Sequence, residues 1–181
     1  MWDTKEPKPA KLIMGILAPD ERCLKAAAER LAAAFGTLDL VSGVWPFDQT
    51  EYYTDQIGPT ILRQFVSAEP LVDPGQLAAI KHRTNRIEQD LVASLGLAVP
   101  RPVNLDPGLI EASKLVLATT KNYSHRIYIG DQMYAEVTLL YDKGRWCPMP
   151  YTYPDYRQAC YHAFFNKVRA RLVEQLRGVQ P

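Results

Sequence analysis

The chain is 181 residues long, about one domain at the usual ~100–200 residues per domain. With 47% hydrophobic residues it can bury a core, and no apolar run approaches a membrane span, so a disordered tail and a spanning helix are both excluded. Twenty-one basic residues against twenty acidic ones leave +1, which excludes a histone-like polycation.

That balance hides a gradient. Residues 1–60 sum to −3 (six basic, nine acidic), 61–150 to +1 (ten and nine), and 151–181 to +3 (five and two). Met1 to Lys11 is polar and proline-containing, with no secretory core. Cys23, Cys147 and Cys160 stand at long spacings without a CxxC, so reduced thiols and a cytoplasmic location are expected, with no metal site and no membrane partner.

Leu12 to Leu17 is a short continuous apolar run, as in a strand buried on both faces. Asp20 opens a helix whose Leu24, Ala27, Ala28, Leu31, Ala32 and Phe35 fall on one stripe, with Gly36 as its stop. Residues 38–45 read as a second strand. From Phe47 to Ser67 the composition favours strands, and Ile61, Arg63 and Phe65 alternate with Leu62, Gln64 and Val66. Asp73-Pro74-Gly75-Gln76 is a helix start, and the helix carries Leu77, Ile80, Thr84, Ile87 and Leu91 inward until it fades near Gly96. Asn104 to Gly108 repeats that cap chemistry and predicts a turn or short helix. Strands follow at about 113–119, 125–129 and 132–141, and a last helix covers about 156–177. The prediction is one α+β domain over 1–181, about three helices on a mixed or mainly antiparallel sheet, with flexible tails at 1–10 and 178–181.

Four polar constellations bear on function. A two-residue Gly130-Asp131 turn makes Ile129 face Gln132 and Glu136 face His125, with Tyr123, Tyr134 and Thr138 on the same face and Arg126, Tyr128, Met133, Val137 and Leu139 on the other. His125 and Glu136 then suit an oriented general base or half of a metal site, the plain alternative being a cross-strand ion pair. Arg126 joins it only if the strand twists or bulges. Lys81, Thr84, Asn85 and Glu88 form one polar line along the middle helix at the core boundary. Lys81 there either reaches an anion or snorkels. Thr119, Thr120, Lys121 and Asn122 make a polar loop suited to an anion.

Asp106 and Asp155 could be catalytic carboxylates or metal ligands, but each sits where a helix needs a cap, and capping is the expected role. Tyr151, Tyr153, Tyr156 and Arg157, with the basic last helix, could stack single-stranded nucleic acid, a reading the near-neutral total charge disfavours. GxxxxGK followed by Ser or Thr, GxGxxG, GxSxG and HExxH are all absent, so no motif-marked enzyme class applies and no cofactor is indicated.

Several segments carry a family resemblance in fixed order. They are Lys11 to Leu17, Phe47-Asp48 through Tyr52-Tyr53, Ile80-Lys81 with Thr84-Asn85 and Glu88, Val103 to Gly108, His125 to Tyr128, Tyr134 to Leu139, and Thr152 to Tyr156. From about residue 9 to 170 the chain resembles an uncharacterised prokaryotic family, domain of unknown function 4416. It departs from the family pattern at Gln56-Ile57-Gly58, where Glu-Met-Gly is usual, and at Tyr151, where Trp is. The resemblance implies a free-standing single-domain protein and brings no catalytic residues with it. Some members are labelled GTP-binding, but this chain lacks the phosphate loop.

The leading expectation is a protein that binds, with catalysis left open, a small phosphorylated or carboxylated metabolite or nucleotide. Lys81, Asn85, Asn104, Lys121 and Arg126 would hold the ligand, and His125 with Glu136 would move a proton. The alternative is a nucleic-acid or protein interaction module built on residues 151–157 and the basic last helix. The oligomeric state is not readable from the sequence.

Overall fold

A strand that is apolar on both faces belongs in the middle of a covered sheet, and the chain is built around one. The computed structural model describes residues 2–50 and 52–178. In chain order it begins with β1 (Ala10–Ala18), α1 (Glu21–Phe35), β2 (Leu38–Val41), β3 (Trp45–Pro46), the single turn α2 (Thr54–Ile57) and β4 (Leu62–Val72). It continues with α3 (Leu77–Leu95), β5 (Asn104–Ile110), β6 (Lys114–Thr119), β7 (Ile127–Gly130), β8 (Met133–Asp142), β9 (Arg145–Pro148) and α4 (Ala159–Gly178). The nine strands form one sheet in the order β2-β4-β1-β5-β6-β8-β7, with β3 on β4 and β9 on β8. Every pairing is antiparallel.

All residues of β1 are buried because helices cover both faces of the sheet. Leu12, Met14 and Ile16 face α1 and α3, packing with Leu24, Leu31, Ile80 and Leu91. Ile13 points the other way, into an aromatic layer of Phe65, Trp146, Tyr161, Phe164 and Phe165 beneath α4. Asp20 caps α1 as expected, its Oδ1 accepting the Cys23 N–H at 2.8 Å. Asp73 caps a 3₁₀ turn (Pro74–Gln76) that runs into α3, and Gly96 ends α3 in the left-handed conformation. The α+β architecture with three long helices on an antiparallel sheet is therefore as predicted.

Local expectations differ in four places. Within 47–67 a helical turn, α2, intervenes, and β4 starts only at Leu62. The Asn104–Gly108 stretch is no helix start but the beginning of β5, paired with β1 from Asn104↔Leu17 to Ile110↔Lys11. Pro107 is tolerated inside this strand because pairing with β6 begins only at Gly108. Leu105 turns its N–H away from β1, to Glu88, so Pro107, two residues on, lacks its N–H on that same unpaired side.

The β7–β8 turn is Asp131-Gln132, one residue later than predicted. Both have left-handed φ (50° and 60°), as a tight hairpin needs, and Gly130 faces Met133. A register shift between Tyr128 and Gly130 then sets Tyr128 opposite Tyr134. Last, α4 begins at Ala159, after a 3₁₀ turn over Asp155–Arg157, and β9 forms a hairpin with β8 that the patterning did not reveal. Of the expected tails, Ala10 is fully buried as the first residue of β1 and Gly178 closes α4, while Met1 and 179–181 lie outside the described residues.

Candidate functional site at one end of the sheet

Three connections meet at the end of the sheet where β1 and β6 finish and β4, β5 and β8 begin. They are the β3–β4 segment with Tyr52 and Tyr53, the β6–β7 loop with Lys121, His125 and Arg126, and the β9–α4 segment with Tyr151 to Tyr156. The sheet beneath supplies Gly15, Arg63, Asn104, Asp106 and Glu136. Register explains the grouping. Gly108 pairs with Leu117 and Leu117 with Glu136, so Glu136 shares the α4 face with Gly108 and, by alternation, with Asp106. Two strand spacings separate β5 from β8, about 10 Å across the sheet.

Glu136, 3% exposed, is the centre of one cluster. Its Oε2 accepts from Arg126 Nε at 2.8 Å and from His125 Nε2 at 3.1 Å. Because β7 stops at Ile127 and the chain turns at Arg126, both residues reach the same carboxylate. Arg126, which strict alternation directs away, thus stands beside His125. Burial opposes its charge, but the Glu136 hydrogen bond prevails and its pKa is raised. Arg126 also donates to the Lys121 carbonyl at 3.0 Å and to the Tyr153 hydroxyl at 2.8 Å. The His125 ring stacks on Tyr151 (4.0 Å, 11°) and leans on Tyr123. With Nε2 committed to Glu136, Nδ1 makes no hydrogen bond among the described residues. A neutral ring in this tautomer offers Nδ1 as a base. Lys121 Nζ donates to the Tyr52 hydroxyl at 2.7 Å and pulls that phenol's pKa down.

A second cluster surrounds Arg63, which is 3% exposed. Its Nη2 donates to Asp155 at 3.1 Å, while Nη1 stops 3.6 Å short of Asp106 Oδ2. The guanidinium lies over the rings of Phe47 (5.1 Å), Phe65 (5.3 Å) and Tyr156 (5.9 Å). It crosses β1 at Gly15, where a Cβ would stand 2.6 Å from Nη1, so the glycine makes the crossing possible. Burial opposes the Arg63 charge, yet Tyr156, Asp155 and Asp106 outweigh it and its pKa is raised. Burial pushes Asp155 above its usual range against the pull of Arg63. Asn104 donates to Asp106 at 2.8 Å. Tyr53 lies within electrostatic reach of Asp106, Arg63 and Tyr153, and burial, reinforced by Asp106, raises its pKa. Asp106 and Asp155, expected as helix caps, instead flank this cation.

The sequence-predicted site residues therefore divide. Lys121, His125, Arg126 and Glu136 come together, and Asn104 joins the neighbouring cluster. Lys81 and Asn85 lie on α3, across the sheet. Lys81 is buried and donates to the Leu105 carbonyl at 2.7 Å, while Glu88 accepts the Leu105 N–H at 2.7 Å and pairs with Arg101. The polar line on α3 completes the hydrogen bonding of β5 where β6 has not yet joined it. Arg63 and Tyr53 were not singled out from the sequence. A signal existed for Arg63, a charged residue on the strand face it shares with Ile61 and Phe65.

The aromatic-basic segment is largely absorbed by the fold. Tyr156 is in the core, and Arg157 donates to the carbonyls of Thr152, Met149 and Pro150. A groove of about 800 Å³ lies at the opposite end of the molecule, lined by Pro7, Pro9 and Pro70 with acidic Glu6, Glu69 and Asp73. Among the described residues no group of three or more His, Cys, Asp or Glu side chains could hold a metal ion, and no helix is long and apolar enough to cross a membrane.

The family model described as Domain of unknown function (DUF4416) matches residues 8–172, and the chain belongs to that family. No curated protein and no solved structure matches it.

Proposed function

We propose that this member of the family binds a small phosphorylated or carboxylated metabolite or nucleotide at the junction of the three connections, with His125 as a proton-transfer group. The observation that carries the reading is the arrangement at Glu136. One buried carboxylate oxygen takes both Arg126 and His125, which commits the imidazole's Nε2 and leaves its Nδ1 available, while the same Arg126 holds the Lys121 backbone carbonyl. Glu136 acts as a positioning residue, selecting the tautomer and stabilising the imidazolium when it forms. Lys121 attracts the acid group of the ligand. Arg126, committed to Glu136, Lys121 and Tyr153, ties the cluster to the β9–α4 segment.

The test is a thermal-shift screen with inorganic phosphate, phosphorylated metabolites, nucleotides and carboxylic acids. A ligand present at ~100 times its dissociation constant adds ~2.7 kcal/mol of stability. Lys121→Ala and His125→Gln should each abolish most of the shift while melting close to the parent. A flat screen, or shifts that survive both substitutions, overturns the proposal.

A further inference from the structure

The charges of the site are not evenly spread. Around Lys121, Arg126 and Glu136 the formal sum is +1. Around Arg63, Asp106 and Asp155 it is −1. A phosphate is thus drawn to the first cluster and repelled by the second.

The second cluster also contains buried polar atoms without partners. Arg63 Nε and Nη1 and the Tyr156 hydroxyl make no hydrogen bond among the described residues, although both residues are 3% exposed. Nη1 and the Tyr156 hydroxyl converge above Gly15, 2.6 and 3.3 Å from where a Cβ would stand. Unpaired buried donors are costly and call for an explanation. Asp106 is the open member, its side chain 27% exposed. Its Oδ2 receives Asn104, and its Oδ1 has no partner among the described residues. The 3.6 Å between Nη1 and Oδ2 is too long for a direct hydrogen bond. Nη1 itself is closed to solvent, so one hydroxyl oxygen comes to lie about 2.8 Å from both atoms once the part-exposed Asp106 carboxylate moves outward.

A hydroxyl both donates and accepts, so it matches a carboxylate beside an unpaired guanidinium N–H. A phosphate, which at neutral pH mainly accepts, does not. We infer that the Arg63–Asp106–Asn104 end takes neighbouring hydroxyls of a sugar ring, so that the ligand is a sugar phosphate held hydroxyls-first at Asp106 and phosphate-first at Lys121. The inference rests on the function proposed above and specifies its ligand class. The phosphate and its sugar hydroxyls then span the roughly 10 Å between β5 and β8.

Calorimetric titration of the full chain with inorganic phosphate, ribose 5-phosphate, glucose 6-phosphate and phosphoethanolamine tests this without any substitution. At least one sugar phosphate should bind about tenfold or more tighter than inorganic phosphate, and phosphoethanolamine should gain little. Asp106→Asn, which keeps the side-chain shape, should erase the sugar advantage while phosphate affinity holds or rises slightly as a repelling charge is lost, whereas Lys121→Ala should weaken both. Phosphate binding with no sugar advantage, or a phosphoethanolamine advantage instead, overturns this inference and leaves the anion site standing. No binding of any of the four, together with a flat wider screen, removes both.

Discussion

Arg63 shows how one residue can organise a site and still be hard to find from sequence. It stands in a period-2 run where its apolar neighbours Ile61 and Phe65 define a buried face, which hints that the arginine is buried too. Its partners were hidden by their surroundings. Asp106 precedes a proline and a glycine, and Asp155 follows a proline ahead of a helix, so both look like caps. What overrules local chemistry is the pairing of β5 with β1, which brings Asp106 opposite Gly15 and beneath Arg63. Removing the cation leaves Asp155 buried without its partner. Arg63→Met should therefore cost about 3–5 kcal/mol in chemical denaturation, the usual penalty for breaking a buried pair from one side. Adding Asp155→Leu should recover part of that loss. If the double variant is no more stable than the single one, the Arg63–Asp155 bond is not what holds this corner together.

At the level of elements, periodicity carried most of the fold. β1, α1 and α3 stand where apolar spacing puts them, because each buries one or both of its faces, whereas α4 starts three residues later and the β7–β8 hairpin turns one residue later than the patterning predicts. β5 was misread because its opening five residues have the chemistry of a helix start, and only a long-range partner turns them into a strand. The polar line on α3 was readable as a line at the core boundary, but its target was not, since Leu105 belongs to the strand that local chemistry concealed. Lys81 and Glu88 hold the carbonyl and the N–H of one peptide residue, Leu105, in place of a strand. Lys81→Met should leave that carbonyl unpaired and cost about 1–3 kcal/mol. The stabilisation by phosphate, measured as a shift in melting temperature, should be unchanged, because Lys81 lies across the sheet from Lys121 and His125. Loss of the phosphate response with normal stability would place Lys81 in the ligand site instead.

For the whole molecule, the −3 to +3 charge gradient joins the ends of the chain. Arg171 of α4 meets Asp39 at 3.4 Å and Glu69 at 3.8 Å, and Asp39 also holds the buried Lys11. The basic C-terminal helix is thus partly neutralised by acids from the first half of the chain, which weakens a nucleic-acid face there. The phenols of the layer under α4, with Tyr53 beside it and the Cys23 thiol on the α1 face of the sheet, have a further consequence at high pH. Burial pushes the Tyr161 phenol to about 12 and the Cys23 thiol to about 11, and it raises Tyr53 and Tyr156 above the ordinary 10.0. The unfolded chain releases these protons first, near 9 for the thiol and 10 for the phenols. Above those values the folded state binds more protons, so stability is fully present below them and falls as pH rises through the folded values. Lys11, whose pKa burial lowers from 10.5, and Tyr52, whose phenol Lys121 pulls down, act in the opposite sense, but the raised groups, Tyr151 among them, outnumber them. Urea midpoints should hold steady up to about pH 8.5 and then decline between about pH 9 and 12. Tyrosinate absorbance from the buried phenols should appear together with the loss of circular dichroism, not before it. Tyr161→Phe removes a buried hydroxyl that has no hydrogen-bond partner among the described residues, so it should be neutral or stabilising near neutrality and should flatten the alkaline decline. A midpoint that rises between about pH 9 and 11 would mean that these side chains are open to solvent, and the aromatic layer would not be the sealed floor on which the site rests.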